Sequence, residues 1–218
     1  MQAPLALLCS SASNTDPVWS TLQALGCLGE EAGGLTVFSD GSVQGSGQPG
    51  CHGGAGLAVL NHRESLWEVA VHVGGWLSST KTEVYACIMA LATLPVHQPL
   101  QIYTDSQGLL SGFHKFVSEA HLLPFCHLLH TRFYQEWSVL WQIVSLCTAP
   151  VTLVKVAAHN GNFRNELADH VAKQGAAQGM LWTPTFHATP DIIFFPSHGT
   201  EHPVEGDLQS YLKMQSQL

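Results

Sequence analysis

Four acids in this sequence stand where a carboxylate is costly unless something needs it. Asp40 follows the apolar run LTVFS, and Asp105 closes the run LQIYT. Glu83 and Asp169 sit among small or apolar neighbours at helical spacing: Ala86, Cys87 and Ala90 for Glu83, Ala168 and Ala172 for Asp169. Carboxylates that converge in one crevice repel one another and require a proton or a cation, and a set of hard oxygen donors selects magnesium or manganese. Two such ions about 4 Å apart activate a water and stabilise the leaving oxygen of a phosphodiester, asking little else of the protein. Each acid taken alone has a plainer reading as a helix cap or a solvated charge. Either Asp105 or Ser106 suits the cap of the segment that follows.

The elements that must position these acids follow from periodicity. LTVFSDGS, residues 35–42, reads as a buried strand that turns at Gly41. The following VQGSGQPGCHGG is a glycine-rich loop, not a phosphate cradle, because no helix signal comes after it. AGLAVLN and LWEVAVHV flank residues 62–65 as an antiparallel hairpin, with Trp67, Val69, Val71 and Val73 alternating. From Ser79 the period becomes helical through Val84, Cys87, Ile88 and Leu91, with a Ser/Thr start at 78–80 and a stop at Pro95. LQIYTD is a strand covered on both faces, and SQGLLSGFHKFV is a helix. Residues 120–147 read as helical, with Trp137, Leu140, Trp141 and Val144 on one stripe; VTLVKV is a fifth strand and NFRNELADHVAKQGA a last helix. Hairpins followed by crossovers give an α/β fold: a five-stranded mixed sheet, a three-strand antiparallel meander plus two parallel strands, with helices on both faces. If the first and fourth strands are neighbours, Asp40 and Asp105 meet at one carboxyl edge, where open sheets place their ligand crevices.

At 218 residues and 45% hydrophobic, the chain has material for one principal domain, expected over residues 35–178. Residues 1–34 read as a poorly ordered extension whose Trp19 and Leu22 dock on the domain, and residues 179–218 as a loop-rich tail. No run approaches the roughly 18 apolar residues of a membrane span, so no membrane is expected. MQAPLALLCSSAS has no Lys or Arg before its apolar stretch and is read as a frayed terminus, not a secretory signal. The six cysteines, at 9, 27, 51, 87, 126 and 147, form no CxxC pair. That pattern fits free thiols in an intracellular protein, cytoplasmic or nuclear, and a monomer is expected. Cys87 reads as helix core, and Cys126, His127 and His130 lack a fourth ligand at zinc spacing. The formal charge of −8 is unusual for a nucleic-acid binder. Much of it lies in the two ends, however, and between Lys81 and Lys173 six basic and six acidic residues cancel. Cations bound at Glu83, Asp105 and Asp169 would turn that middle net positive toward phosphates.

FSDGS at 38–42, TEVYA at 82–86, YTDSQ at 103–107 and HNGNFRNELADHVAK at 159–173 resemble, in order and at fitting separations, the four blocks of type 1 ribonuclease H. The resemblance covers residues 35–178 and is nearest in flavour to the domains of retroelement polyproteins, those of non-LTR reverse transcriptases in particular. It implies a ribonuclease H-like fold and a nuclease that cuts the RNA strand of an RNA–DNA hybrid. Asp40, Glu83, Asp105 and Asp169 would be ligands to two Mg2+ ions, with Mn2+ as an alternative. His159 would assist product release or proton transfer. Ser42, Gln107 and Asn165 would contact the hybrid, although Asn165, like Glu166, also suits a structural role. A reverse transcriptase domain is an implied partner, and the hybrid would be read by shape with little sequence preference.

The sequence departs from the family pattern in NGNF after His159, where Ser-Gly is usual, and in Thr82 and Val84, where Ala and Leu are common. Residues 116–135 carry only Arg132 as a cation, so a basic grip on the hybrid is weak. A catalytically silent module that keeps the fold for hybrid or protein binding is the competing expectation, and the four intact acids weigh against it. An integrase-like or exonuclease relative would place its last acid elsewhere than NELAD does.

Overall fold

The computed structural model describes residues 20–22, 24–25, 35–46, 50–61, 66–75, 77–92, 97–119, 131–158, 161–182, 197–198 and 202–203. Three antiparallel strands open the fold: β1 (Leu35–Gln44), β2 (His52–Asn61) and β3 (Leu66–Val73). Then come α1 (Ser79–Ala92), β4 (Leu100–Thr104), and α2 (Gln107–Phe113), which runs into a π-helical turn at His114–Ser118. The chain continues with α3 (Tyr134–Leu146), β5 (Val151–Lys155), α4 (Phe163–Gln178) and a two-residue strand β6 (Met180–Leu181). The sheet order is β5-β4-β1-β2-β3-β6, with β1, β4 and β5 parallel and β1, β2 and β3 antiparallel. The five expected strands are all present, and β6 adds a parallel edge against β3. A separate two-residue pairing joins Ser197–His198 to His202–Pro203.

Glycine does not end the first strand. β1 continues through Gly41, which pairs with Ala55, so Asp40 lies within the strand and not at its end. The expected turn fails for a steric reason. A Cβ on Gly41 would stand 2.4 Å from the backbone nitrogen of Glu83, so the missing side chain is the space into which α1 packs. β2 likewise starts at His52, taking in glycines assigned to the preceding loop. Cβ atoms on Gly54 and Gly56 would lie 2.1 Å and 2.3 Å from the backbone of Ala172. Strand alternation puts Ala55, Leu57 and Val59 on the opposite face. There they join Ile88, Leu91, Ile102, Leu140 and Ile143 in the larger core. A smaller core of Phe38, Ala58, Leu60 and Ala168 lies beneath α4. Helices therefore cover both faces.

α1 is buried along its length from Lys81 to Ala92, which marks it as the central helix of the larger core. That burial includes an ion pair: Lys81 Nζ lies 3.1 Å from Glu136 Oε1 on α3, both side chains less than a tenth exposed, and the ammonium also sits 5.8 Å above the Tyr85 ring. The expected helix over 120–147 is observed only from Tyr134, after Phe133 adopts a left-handed φ of 62°; residues 120–130, with Cys126, His127 and His130, lie outside the described residues. Of the N-terminal extension, Leu22 and Leu25 are buried in the larger core, while Trp19 lies outside the described residues. β6 pairs with β3, and Trp182 is buried edge-on to Tyr85 at 5.9 Å. Cys87 is fully buried, as expected of helix core.

Removing one partner of a buried ion pair strands the other charge. Glu136→Leu is expected to lower stability by roughly 3–5 kcal/mol, and Lys81→Met combined with it to recover most of the loss. Urea melts of the wild type and the variants check this, and a single-variant cost below about 1 kcal/mol would contradict the pairing.

Candidate active site

Strand register brings two of the acids together. In the parallel β1–β4 pair Phe38 lies opposite Tyr103, and the two rings stack at 4.8 Å. Asp40 and Asp105 each come two residues later, so alternation sends both to the same face at the same edge of the sheet. Glu83 arrives from the other face. It sits in the first turns of α1, which approaches β1 closely enough to reach past it only because Gly41 is bare. The carboxylates of Asp40, Glu83 and Asp105 offer ligand atoms that all lie within 4.8 Å of one another.

The cluster is electrostatically strained. Burial pushes the Glu83 carboxyl far above its ordinary range, and the charges of Asp40 and Asp105 and a hydrogen bond with Asp40 push it further. Asp40 rises too, through burial first and the neighbouring Asp105 charge second, partly offset by the Gly41 backbone N–H. One oxygen, Glu83 Oε2, is buried with no hydrogen-bond partner among the described residues. An all-oxygen donor set with a buried, unsatisfied carboxylate oxygen fits a hard divalent cation.

Neighbouring side chains hold the third carboxylate. Ser106, not Asp105, caps α2: its Oγ accepts from the Leu109 N–H at 3.2 Å, which leaves the Asp105 side chain to the cluster. Asn165 Nδ2 donates to Asp105 Oδ2 at 3.1 Å. Asn165 is placed for this by Asn162, the N-cap of α4, whose Oδ1 accepts from the Arg164 and Asn165 N–H groups. Lys155, at the end of β5, donates from Nζ to the Asp105 carbonyl.

The fourth acid stands apart from the trio. Asp169 Oδ2 is 2.7 Å from Lys173 Nζ, one turn along α4, and Asp169 is not among the three clustered ligands. Its charge nevertheless contributes to raising Asp40, so it borders the site. Of the expected substrate contacts, Ser42 is half-buried two residues beyond Asp40, and Gln107 is exposed at the start of α2, donating to Ser111 Oγ at 3.4 Å. Asn165 is 3% exposed, and its Nδ2 donates to Asp105 Oδ2. His159 lies outside the described residues. Sequence reasoning passed over Lys155 and Lys173. The second carried a local signal, a Lys four residues after an Asp on a helix; the first depends on the β4–β5 pairing, which no local pattern reveals.

This arrangement of strands has known counterparts. The RNase H family model matches residues 32–177, two thirds of the chain. The chain belongs to the RNase H family. It is 30% identical over 150 residues to the ribonuclease H of Methylobacillus flagellatus, covering 66% of this chain and 92% of that one. It is 29% identical over 157 residues to the ribonuclease H of Cupriavidus metallidurans, covering 66% and 95%. In fold it is similar to LC9-RNase H1, a type 1 RNase H with the type 2 active-site motif, at a TM-score of 0.52 and 22% identity, with 66% and 72% covered. It is also similar in fold to the foamy viral protease-reverse transcriptase solved with dsDNA, at a TM-score of 0.51 and 18% identity, with 65% and 93% covered. Among the described residues no helix is long and apolar enough to cross a membrane.

Carboxylates whose folded-state affinity for protons is raised stabilise the fold at low pH and lose that contribution as pH climbs from their ordinary to their raised values, because the unfolded chain ionises them freely while the fold must keep them protonated or bury their charge. In this RNase H-family protein the melting temperature in chelator is expected to fall between about pH 5 and about pH 8. Glu83→Gln, which removes the cost of keeping one buried carboxyl protonated, should melt several degrees above wild type at the upper pH and close to it at the lower. Thermal melts by circular dichroism check this; a Glu83→Gln variant less stable than wild type at the upper pH would contradict it.

Proposed function

We propose that this chain is a divalent-metal-dependent endoribonuclease that hydrolyses the RNA strand of RNA–DNA hybrids. The observation that carries the reading is the trio of Asp40, Glu83 and Asp105, with ligand atoms within 4.8 Å of one another and a buried Glu83 oxygen that has no partner among the described residues. Family membership supplies the reaction class. Asp40, Glu83 and Asp105 would hold Mg2+ or Mn2+, with Asp169 completing a two-ion set. When bound, such ions supply an activated water and neutralise charge on the leaving oxygen.

The protein's own residues do the remaining work. Asn165 and Lys155 fix Asp105 from its side chain and its carbonyl, so that the ligand does not have to be ordered when the cation arrives. Ser42 and Gln107, near the same edge of the sheet, are the proposed hybrid contacts, and His159 the proposed proton carrier or product-release residue. The domain would span 35–178, extended by the packing of Leu22, Leu25 and Trp182. Kinship with retroelement ribonucleases H, and a reverse transcriptase partner that compensates for the sparse cations, follows from the flavour of the YTDSQGLLSGFHKF block. The fold likeness to the foamy viral protein supports it.

Labelled RNA–DNA hybrid, with duplex DNA and duplex RNA controls, tests the reading in magnesium, manganese and chelator. The expected result is cleavage of the RNA strand of the hybrid alone, abolished by chelation. Asp105→Asn should lower it by on the order of 100-fold or more, and Asn165→Ala by about 10- to 100-fold. Folded wild-type protein inert with both metals would instead support the silent hybrid-binding module.

A further inference from the structure

Asp169 has two possible commitments. Its carboxylate borders the trio closely enough for its charge to act on Asp40, yet its Oδ2 is held at 2.7 Å by Lys173, with Asp169 29% and Lys173 54% exposed. The same hydrogen bond holds the Lys173 ammonium above its usual range, with Asp40 adding to the effect, so this cation feels both the fourth acid and the trio. Asp169 and Lys173 lie four residues apart on one helix, a spacing at which side chains meet without further help. His170 and Gln174, the neighbouring pair at that spacing, are hydrogen-bonded to each other at 2.9 Å, leaving Lys173 as the partner Asp169 has on its own helix among the described residues.

We propose that Lys173 is a positioning residue that competes with a divalent cation for Asp169, restraining the fourth carboxylate until metal at the trio draws it away. The inference rests on the metal-dependent reading above. Lys173 acts through Asp169 and touches neither metal nor substrate. While the ion pair persists, the site offers three carboxylates; once it breaks, the site offers four, and Lys173 is released toward solvent. Lys173 thereby weakens the affinity of the centre for metal.

The test is a calorimetric titration of the full chain with Mn2+ alone, without nucleic acid, on wild type, Lys173→Met, Asp169→Asn and the double variant. An exposed pair at this spacing is weak, so Lys173→Met is expected to tighten the Mn2+ dissociation constant by about two- to fivefold in the wild-type background. In the Asp169→Asn background the same change should have no effect, because the carboxylate through which Lys173 acts is gone. Lys173→Arg, which keeps the charge, should behave as wild type. Equal tightening in both backgrounds would reduce Lys173 to a distant charge and overturn the proposal, as would no tightening in either. Wild type that binds no Mn2+ would overturn the metal reading itself, and this inference with it.

Discussion

Three carboxylates forced into one partly buried edge of a sheet are the constraint on which the rest of this structure depends. Left to themselves, Asp40, Glu83 and Asp105 would separate or stay protonated, and the raised proton affinities of Asp40 and Glu83 record that cost. The fold holds them together by means that cannot relax locally. β1–β4 register fixes two of them, and the tight docking of α1 over Gly41 fixes the third. Core burial around α1 offsets a repulsion that a cation would convert into attraction.

The supporting elements follow from the same constraint. α4 closes on the sheet along Ala168, Ala172 and Ala176 because Gly54 and Gly56 leave room for its backbone, and that approach brings Asn165 to Asp105 and Asp169 to the border of the site. On the opposite face the Lys81–Glu136 pair ties α3 to the start of α1, two residues before Glu83. A buried ion pair is a poor source of stability, yet here it links α3 to the helix that carries Glu83.

Much of this was legible in the sequence, for identifiable reasons. Asp40, Glu83, Asp105 and Asp169 each interrupt an apolar or small-residue context, and the change of period from two to near four separates meander from crossover. The extent of β1 was hidden because glycine ordinarily signals a turn; its use here, as room for a helix, depends on a contact between distant segments. The same holds for the pairing of Lys81 with Glu136, which depends on α1 and α3 lying side by side. Asn165 was open between a hybrid contact and a structural role, and its hydrogen bond to Asp105 depends on α4 lying beside the end of β4, which no local pattern reveals. The division between Asp105 and Ser106 at the start of α2 was open in sequence and is settled by the Ser106 hydroxyl.

The most direct test of the central claim, that the trio is a strained ligand set awaiting a cation, is to count protons. Mn2+ is titrated into the full chain near neutral pH in two buffers of different ionisation enthalpy, and the difference in heat gives the protons displaced. Carboxylates held protonated by burial and mutual repulsion must release them when the metal binds, so the account predicts saturable binding with net proton release, reduced in Glu83→Gln. Saturable binding with no proton release, or with the same release from Glu83→Gln, would contradict it.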